Sequence, residues 1–378
     1  MNLDQGLSDT LSPGEYLRKE LDARGWSQSD LSSVINRPIQ AINEIIQGKR
    51  GIMPEMAVAL GTALGTGASI WLQREAEYRL SLISNTDDET LRRARLFDIA
   101  PVKEMEKRGW ISESRTIDGL ESELKRFFND SLLDETPVIN AAFRQTNKND
   151  EISTSQNAWL FRAKQLASLV NARKFDKTKF ENALPTIRAL ADSREKSAQV
   201  PSCLSEVGVR LVIIEALAKT YVDGAMFWLD DESPVVVLSL RYDRIDWFWH
   251  TLAHELIHIK NGDKRSVDTH LVGESRQTLN ESEDKADKEA SAFLIPPDRI
   301  KSFIIRTKPF YYKEKILQFA KVIGIHPGIV NGQLQHLKEI GWNTNREMLV
   351  KIRDIITTTA LTDGWGKTIN IKGNLIHE

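Results

Sequence analysis

The 378-residue chain has one cysteine, Cys203, which excludes an internal disulfide framework and any zinc site built on several thiolates. A metal held here would need imidazole and carboxylate donors. Charge imbalance is nearly absent: 51 Lys plus Arg stand against 53 Asp plus Glu. No global field draws the chain to nucleic acid or an anionic membrane, so DNA binding would have to come from a local patch. No uncharged apolar run approaches the ~18 residues that cross a bilayer, and Met1-Asn2-Leu3-Asp4-Gln5 lacks the basic and apolar segments of an export signal. The expectation is a cytoplasmic protein with no membrane partner. Internal repeats and low-complexity tracts are missing as well.

What remains is an ordinary globular composition, 41% apolar and 28% charged, on a chain longer than one hydrophobic core usually supports. A multidomain protein is expected, and punctuation along the chain suggests where it divides. Residues 1–84 read as an all-α domain of short helices. Ser12 caps a first helix with Pro13 and Glu15 in its opening turn, and Gly25 stops it. Ser27 caps a second, Gln28 to Ile35, and a third runs from Pro38 to Gln47. Helices from Pro54 and Ala68 follow. Residues 85–198 are polar with helix-period apolar positions such as Trp159, Ala163, Leu166 and Val170, the pattern of a helical connecting region, with a loop near Gln145 to Ser155. After Pro201, Val209 to Ile214 and Pro234 to Leu240 are β-branched-rich runs expected as strands. Two helices separated by a charged stretch from Asn261 to Lys285 come next, so 199–345 reads as an α+β domain. Residues 346–378 are expected as a helical tail.

The chemistry concentrates in His254-Glu255-Leu256-Ile257-His258. Positions i and i+4 lie one helical turn apart on one face, so both imidazoles can reach one ion. Glu255 sits beside the first of them, where a carboxylate can take a proton from an attacking water. The apolar neighbours Trp247, Phe248, Trp249, Leu252, Ala253, Leu256 and Ile257 imply a buried helix, in which unpartnered histidines and a glutamate would be costly. A metal explains all three. Its third ligand is sought in Glu283-Asp284-Lys285-Ala286-Asp287, where Glu283 and Asp287 are again four apart. One carboxylate can bind the ion while the other holds an imidazole through its remaining N–H. Glu281, Glu289 and His270 are rivals. His250 reads as a histidine at the helix start, and Cys203 as a structural cysteine.

The segment Trp247 to His258, with Glu283 to Asp287 and the run Ala290-Ser291-Ala292-Phe293-Leu294-Ile295-Pro296, resembles the ImmA/IrrE metallopeptidases over roughly residues 200–340. The resemblance implies a zincin-like fold with Zn2+ on His254, His258 and Glu283, Glu255 as catalytic base, and a regulatory protein, a repressor or antitoxin-like chain, as substrate. Asp287 is the expected partner of a ligand imidazole. Two departures bear on the substrate groove: Glu289 stands where a phenylalanine is usual, and His250 where a small or apolar residue is.

In the first domain, Gln28 to Ile35 and Pro38 to Gln47 are spaced as a helix-turn-helix, whose second helix enters the major groove. Gln28, Arg37, Gln40, Asn43, Lys49 and Arg50 are the candidate contacts: Gln and Asn suit adenine, Arg suits guanine, and Lys49 and Arg50 suit phosphates. Leu11 to Leu80, with Gly25-Trp26-Ser27-Gln28 and Gly48-Lys49-Arg50, resembles HigA-type antitoxins of the Xre class, which implies operator DNA as partner, a homodimer and a toxin to neutralise. Three functions follow as expectations. The first is a DNA-reading regulator fused to a zinc endopeptidase, and the second a non-enzymatic antitoxin whose peptidase-like domain senses a signal or binds a toxin. The third, least suited to a fused DNA reader, is a hydrolase of small amides.

Overall fold

The computed structural model describes residues 11–82, 87–129, 142–145, 153–263 and 276–365, of which 87–88, 142–145 and 276–282 as backbone alone. Most of the expected 145–155 loop and the centre of the 261–285 stretch, with His270, lie outside the described residues, as does the Glu281 side chain. The protein is predominantly helical with one small mixed sheet, and divides into two compact units, residues 1–91 and 92–378.

In the first unit, α1 (Pro13–Arg24) starts on a reciprocal cap. The Ser12 hydroxyl accepts from the Glu15 amide at 3.2 Å, and the Glu15 carboxylate accepts from the Ser12 amide at 2.9 Å. Ser27 and Asp30 repeat the device at α2 (Gln28–Ile35). Asn36, with φ 50°, ends α2, and Pro38 leads into α3 (Ile39–Ile46). α4 (Pro54–Leu64) and α5 (Ala68–Leu82) complete the unit. Leu17, Leu31, Ile42, Ile45, Leu60 and Trp71 form its core. Gly14 lets α1 lie on α3: a Cβ there would be 2.4 Å from the Ile45 carbonyl oxygen.

The second unit takes up α6 (Asp87–Ile99) from Arg92 onward. It continues with α7 (Val102–Lys107), α8 (Ile117–Phe127), β1 (Ala142–Gln145), α9 (Thr154–Ala167), α10 (Lys177–Ala189) and α11 (Val200–Glu206). Next come β2 (Arg210–Ile213), β3 (Val222–Trp228) and β4 (Pro234–Leu238), then α12 (Ile245–Asn261), α13 (Arg276–Leu294), α14 (Pro297–Thr307), α15 (Lys313–Ile323) and α16 (Pro327–His336). α17 (Arg353–Ile356) and β5 (Leu361–Thr362) close the described chain. The sheet order is β1-β3-β4-β2-β5, with β3 antiparallel to β1 and β4, and β2 parallel to β4 and β5.

Side chains alternate across these strands, and both faces are buried. Leu211, Ile213, Met226, Val236 and Leu238 face a core shared with α10 to α16. Val212, Ile214, Ala225, Phe227, Val235 and Val237 face a second core with Leu96, Leu124, Trp159 and Leu166.

That second face corrects two expectations. Residues 92–198 are not a connector, because they supply the helices that cover the sheet, and β1 adds a strand. The Trp159 indole N–H donates to the Ile214 carbonyl (3.1 Å), and Arg108 donates to the Glu215 and Ala216 carbonyls (3.0 Å each). Nor do the described residues of the expected 346–378 helical tail, 346–365, form one: after the single turn of α17, β5 pairs with the open edge of β2, and buried Asp363 accepts from Trp110 Nε1 (2.9 Å) and Arg162 Nε (3.1 Å). An apolar sheet edge needs a backbone partner, and Leu361-Thr362 supplies it. The third strand of the run, β3, was not expected either.

Candidate metal centre and helix pair

α12 has buried residues all round, among them Phe248, Trp249, Leu252, Leu256 and Ile259, because it lies between the sheet and α13 and α16. It ends at Gly262 (φ 76°). His254, Glu255 and His258 are 1, 0 and 0% exposed, so their polar atoms must be satisfied inside the protein.

α13 supplies the partners. The Nε2 atoms of His254 and His258 are 3.0 Å apart, Glu283 Oε2 lies 3.1 Å from the first, and Glu283 Oε1 lies 3.5 Å from the second. Behind each ring stands a carboxylate: His254 Nδ1–H donates to Asp287 (2.9 Å) and His258 Nδ1–H to Asp263 (2.6 Å). A carboxylate only accepts, so each Nδ1 carries the hydrogen and each ring, when neutral, turns its Nε2 lone pair inward. Two lone pairs and a carboxylate crowded together repel unless something positive sits among them. Tetrahedral zinc, with bonds near 2.0–2.1 Å, places its ligands roughly 3.3 Å apart, close to the spacings found. His254, His258 and Glu283 are thus a group that can hold a metal ion.

Without a cation the cluster uses protons. Burial would depress the His258 pKa, but hydrogen bonds to Asp263 and Glu283 outweigh it and push it up to about 10. The His254 pKa is likewise raised: burial opposes this, and Asp287 and Glu283 prevail. Burial would raise the Glu283 pKa, yet the two imidazoles hold it down to about 2.

Glu255 packs toward β3. A Cβ on Gly224 would meet Thr251 Cγ2 at 2.7 Å and Glu255 Oε1 at 3.1 Å, so glycine makes the room this carboxylate occupies. Of the rival ligands, Glu289 pairs with Lys285 (3.8 Å) on α13 itself; His250, the histidine near the start of α12, has its Nε2 hydrogen-bonded to Ser291 Oγ (3.1 Å). Sequence reasoning missed Asp263. Its signal was the glycine stop: the chain turns back after Gly262, the Asp263 amide donates to the His258 carbonyl (3.1 Å), and Trp228 Nε1 donates to the Asp263 carbonyl (3.2 Å).

In the first unit, Arg37, Gln40 and Arg50 line one hollow of about 510 Å³ beside α3, together with Glu44 and Glu55. Gln28, Asn43 and Lys49 are not part of its lining. Glu44 accepts from Gln40 (3.3 Å) and pairs with Arg50 (3.4 Å), while the Asn43 side-chain carbonyl accepts from Gln47 (3.0 Å). Arg37, Gln40, Asn43, Lys49 and Arg50 are exposed, and Gln28 is half-buried.

Among the described residues no helix is long and apolar enough to cross a membrane. No protein-family model matches the chain. It is 35% identical to virulence-associated protein A of Dichelobacter nodosus over 74 residues, 19% of this chain and 72% of that protein. To virulence-associated proteins A' and I of the same organism it is 31% identical over 80 residues (21% and 70%) and 34% identical over 73 (19% and 68%). Among solved structures, it is similar in its N-terminal region to an antidote protein of a plasmid maintenance system from Nostoc punctiforme, with 27% identity, 22% of this chain and 92% of that chain covered, and a TM-score of 0.20. A HigA-family addiction-module antidote from Coxiella burnetii has 23% identity, 23% and 95% coverage, and a TM-score of 0.21.

Proposed function

The chain belongs, over about a fifth of its length, to the family of the virulence-associated proteins A and I, and from that premise we propose that it is a DNA-binding, antitoxin-like regulator carrying a zinc-dependent peptidase site that cuts a regulatory protein. The observation that carries the peptidase half is the convergence of His254, His258 and Glu283, each imidazole backed by a carboxylate, on a helix that also bears Glu255. A purely structural zinc site needs no general base beside its first ligand.

Zinc would supply Lewis acidity toward a peptide carbonyl and the water that attacks it. His254, His258 and Glu283 would hold the ion. Asp263 and Asp287, each accepting the Nδ1 hydrogen of a ring, aim both Nε2 atoms at it, and Glu255 takes the proton of the attacking water and returns it to the leaving amine. The DNA half rests on α2 and α3, joined through Asn36-Arg37-Pro38, with exposed Arg37 and Gln40 beside the start of α3. Near-neutral net charge makes non-specific affinity modest, so dimerisation on a two-fold operator would supply the remainder.

The test compares wild type with Glu255→Gln. Both should hold about one zinc per chain, and only wild type should generate new fragments of co-purifying protein partners. Zinc in both with identical fragments would sink the peptidase half. It would favour a second reading, a binding-only site, to which the near-complete burial of His254, Glu255 and His258 also points. Equal affinity for operator and random duplex would count against the DNA half.

A further inference from the structure

The balanced charge of the whole chain conceals one uneven stretch. From Pro297 to Gly324 seven lysines and arginines stand against two acidic residues, Asp298 and Glu314, in a protein whose net charge is -2. This stretch is α14, α15 and the loop 308–312 that joins them. The two helices meet through Phe303 and Phe319, whose rings stack with centroids 4.3 Å apart. In the loop, buried Tyr311 donates its hydroxyl to Glu339 (2.6 Å), and its two neighbours stand outward: Phe310 is 61% and Tyr312 58% exposed. The outer rings are nearly parallel, 14° from coplanar orientation with centroids at 6.0 Å, and Lys315 Nζ lies 5.9 Å from the centre of the Tyr312 ring. Lys308 and Lys313 are engaged by Glu339 (3.3 Å) and Glu347 (3.1 Å). Arg299, Lys301, Arg306, Lys315 and Lys321 are exposed and form no ion pair among the described residues. Exposed apolar groups rimmed by charge mark a contact surface.

We propose that the loop between α14 and α15 is a contact site for single-stranded nucleic acid, whose bases stack on Phe310 and Tyr312 while the flanking cations hold its phosphates. Every unpaired base offers a flat face to an aromatic ring whatever its sequence, whereas a duplex buries those faces between its own pairs. The surface therefore differs in kind from α2 and α3, whose exposed Gln40 and Asn43 suit base edges in a duplex groove. An anionic lipid surface would meet the same cations, but acyl chains make no use of two rings held in parallel. Tyr311 fixes the loop from inside, so the ring pair is in place before anything binds. Binding here calls on neither the metal centre nor the first unit. It goes beyond the regulator and peptidase reading and stands or falls apart from it.

The experiment measures fluorescence anisotropy of labelled oligothymidylate and oligouridylate, each of about 16 nucleotides, the upper site size of a stacking groove, on the full chain at several salt concentrations. Wild type should bind at least one of them, and the tighter of the two assigns the strand as DNA or RNA. Phe310→Ala with Tyr312→Ala should weaken that binding about tenfold or more at an unchanged melting temperature, since both side chains are exposed. Phe310→Trp with Tyr312→Phe, which keeps two stacking faces, should retain wild-type affinity. Arg306→Gln with Lys315→Gln should flatten the salt dependence by about 0.7 for each phosphate contact removed. Affinity that survives the loss of both rings would place the strand on α2 and α3 or on charge alone, and overturns the proposal. The absence of measurable binding to either oligonucleotide also overturns it, and ring-dependent binding to phosphatidylserine vesicles in its place would assign the surface to lipid. None of these readings uses zinc, protein fragments or duplex DNA, so their failure is distinguishable from failure of the regulator and peptidase reading.

Discussion

Asp263→Asn is the substitution that probes the metal centre most directly without touching a ligand. His258 is completely buried, and its Nδ1–H donates to Asp263 at 2.6 Å, whereas His254 donates to Asp287 at 2.9 Å. The Asp263 side chain is 27% exposed and that of Asp287 is 48%, so water screens the second hydrogen bond more. An asparagine can still accept through its amide oxygen, which keeps the tautomer, but the bond loses its charge assistance. Charged hydrogen bonds contribute about 1.5–3 kcal/mol against about 1 for neutral ones, so the loss is about 0.5–2 kcal/mol, or roughly 2- to 30-fold in metal affinity. Outer carboxylates of histidine ligands typically matter on this scale. The assay is zinc competition against a chromophoric chelator at neutral pH, with Asp287→Asn measured alongside. Asp263→Asn should weaken zinc binding more than Asp287→Asn does. An Asp263→Asn affinity within about twofold of wild type, or a larger loss for Asp287→Asn, would refute the reasoning.

Zinc-free protein should show a pH dependence that the loaded protein lacks. The folded pKa of His258, about 10, lies above its ordinary 6.5, so its proton-linked stability is full below 6.5 and lost as pH rises through about 10. That of Glu283, about 2 against 4.5, acts in the opposite direction, present above 4.5 and lost as pH falls through about 2. Melting of metal-free protein should therefore fall between neutral pH and pH 10, and more steeply than in the zinc-loaded form, where the ion has displaced the protons; parallel curves would contradict this. Glu44→Gln removes the carboxylate that engages Gln40 and Arg50 beside α3. Duplex DNA affinity should rise several-fold and the salt slope steepen by about one unit, and an unchanged slope would place Arg50 away from phosphate. Asp363→Ala strips the buried partner of Arg162 and Trp110. It should cost about 3 kcal/mol in urea unfolding, whereas a loss below about 0.5 kcal/mol, typical of surface positions, would show that the C-terminal segment is an appendage.

What could be read along the chain was what depends on neighbours within a turn or two. Ser12 with Glu15 and Ser27 with Asp30 announce helix starts because each cap closes over three residues, and His254 with His258 announces a shared ion because i and i+4 project from one helical face whatever surrounds them. Glu283 and Asp287 were visible as a second such pair. β3 was not, since Asp223 and Gly224 interrupt its β-branched character and burial on both faces removes any alternation.

The tertiary structure decided the remainder. Helices whose apolar faces looked like those of a connector turned out to cover the second face of the sheet, because an apolar stripe does not state what it will meet. The packing of α12 on α13 brings Glu283 to both imidazoles while Glu289 stays with Lys285, and the return of the chain after Gly262 brings Asp263 behind His258. The sequence by itself determined that two imidazoles and a glutamate share a helix. Which carboxylates complete them depends on distances of about 3 Å between separate elements, a reach that hydrogen bonds do not exceed and that only packing can set.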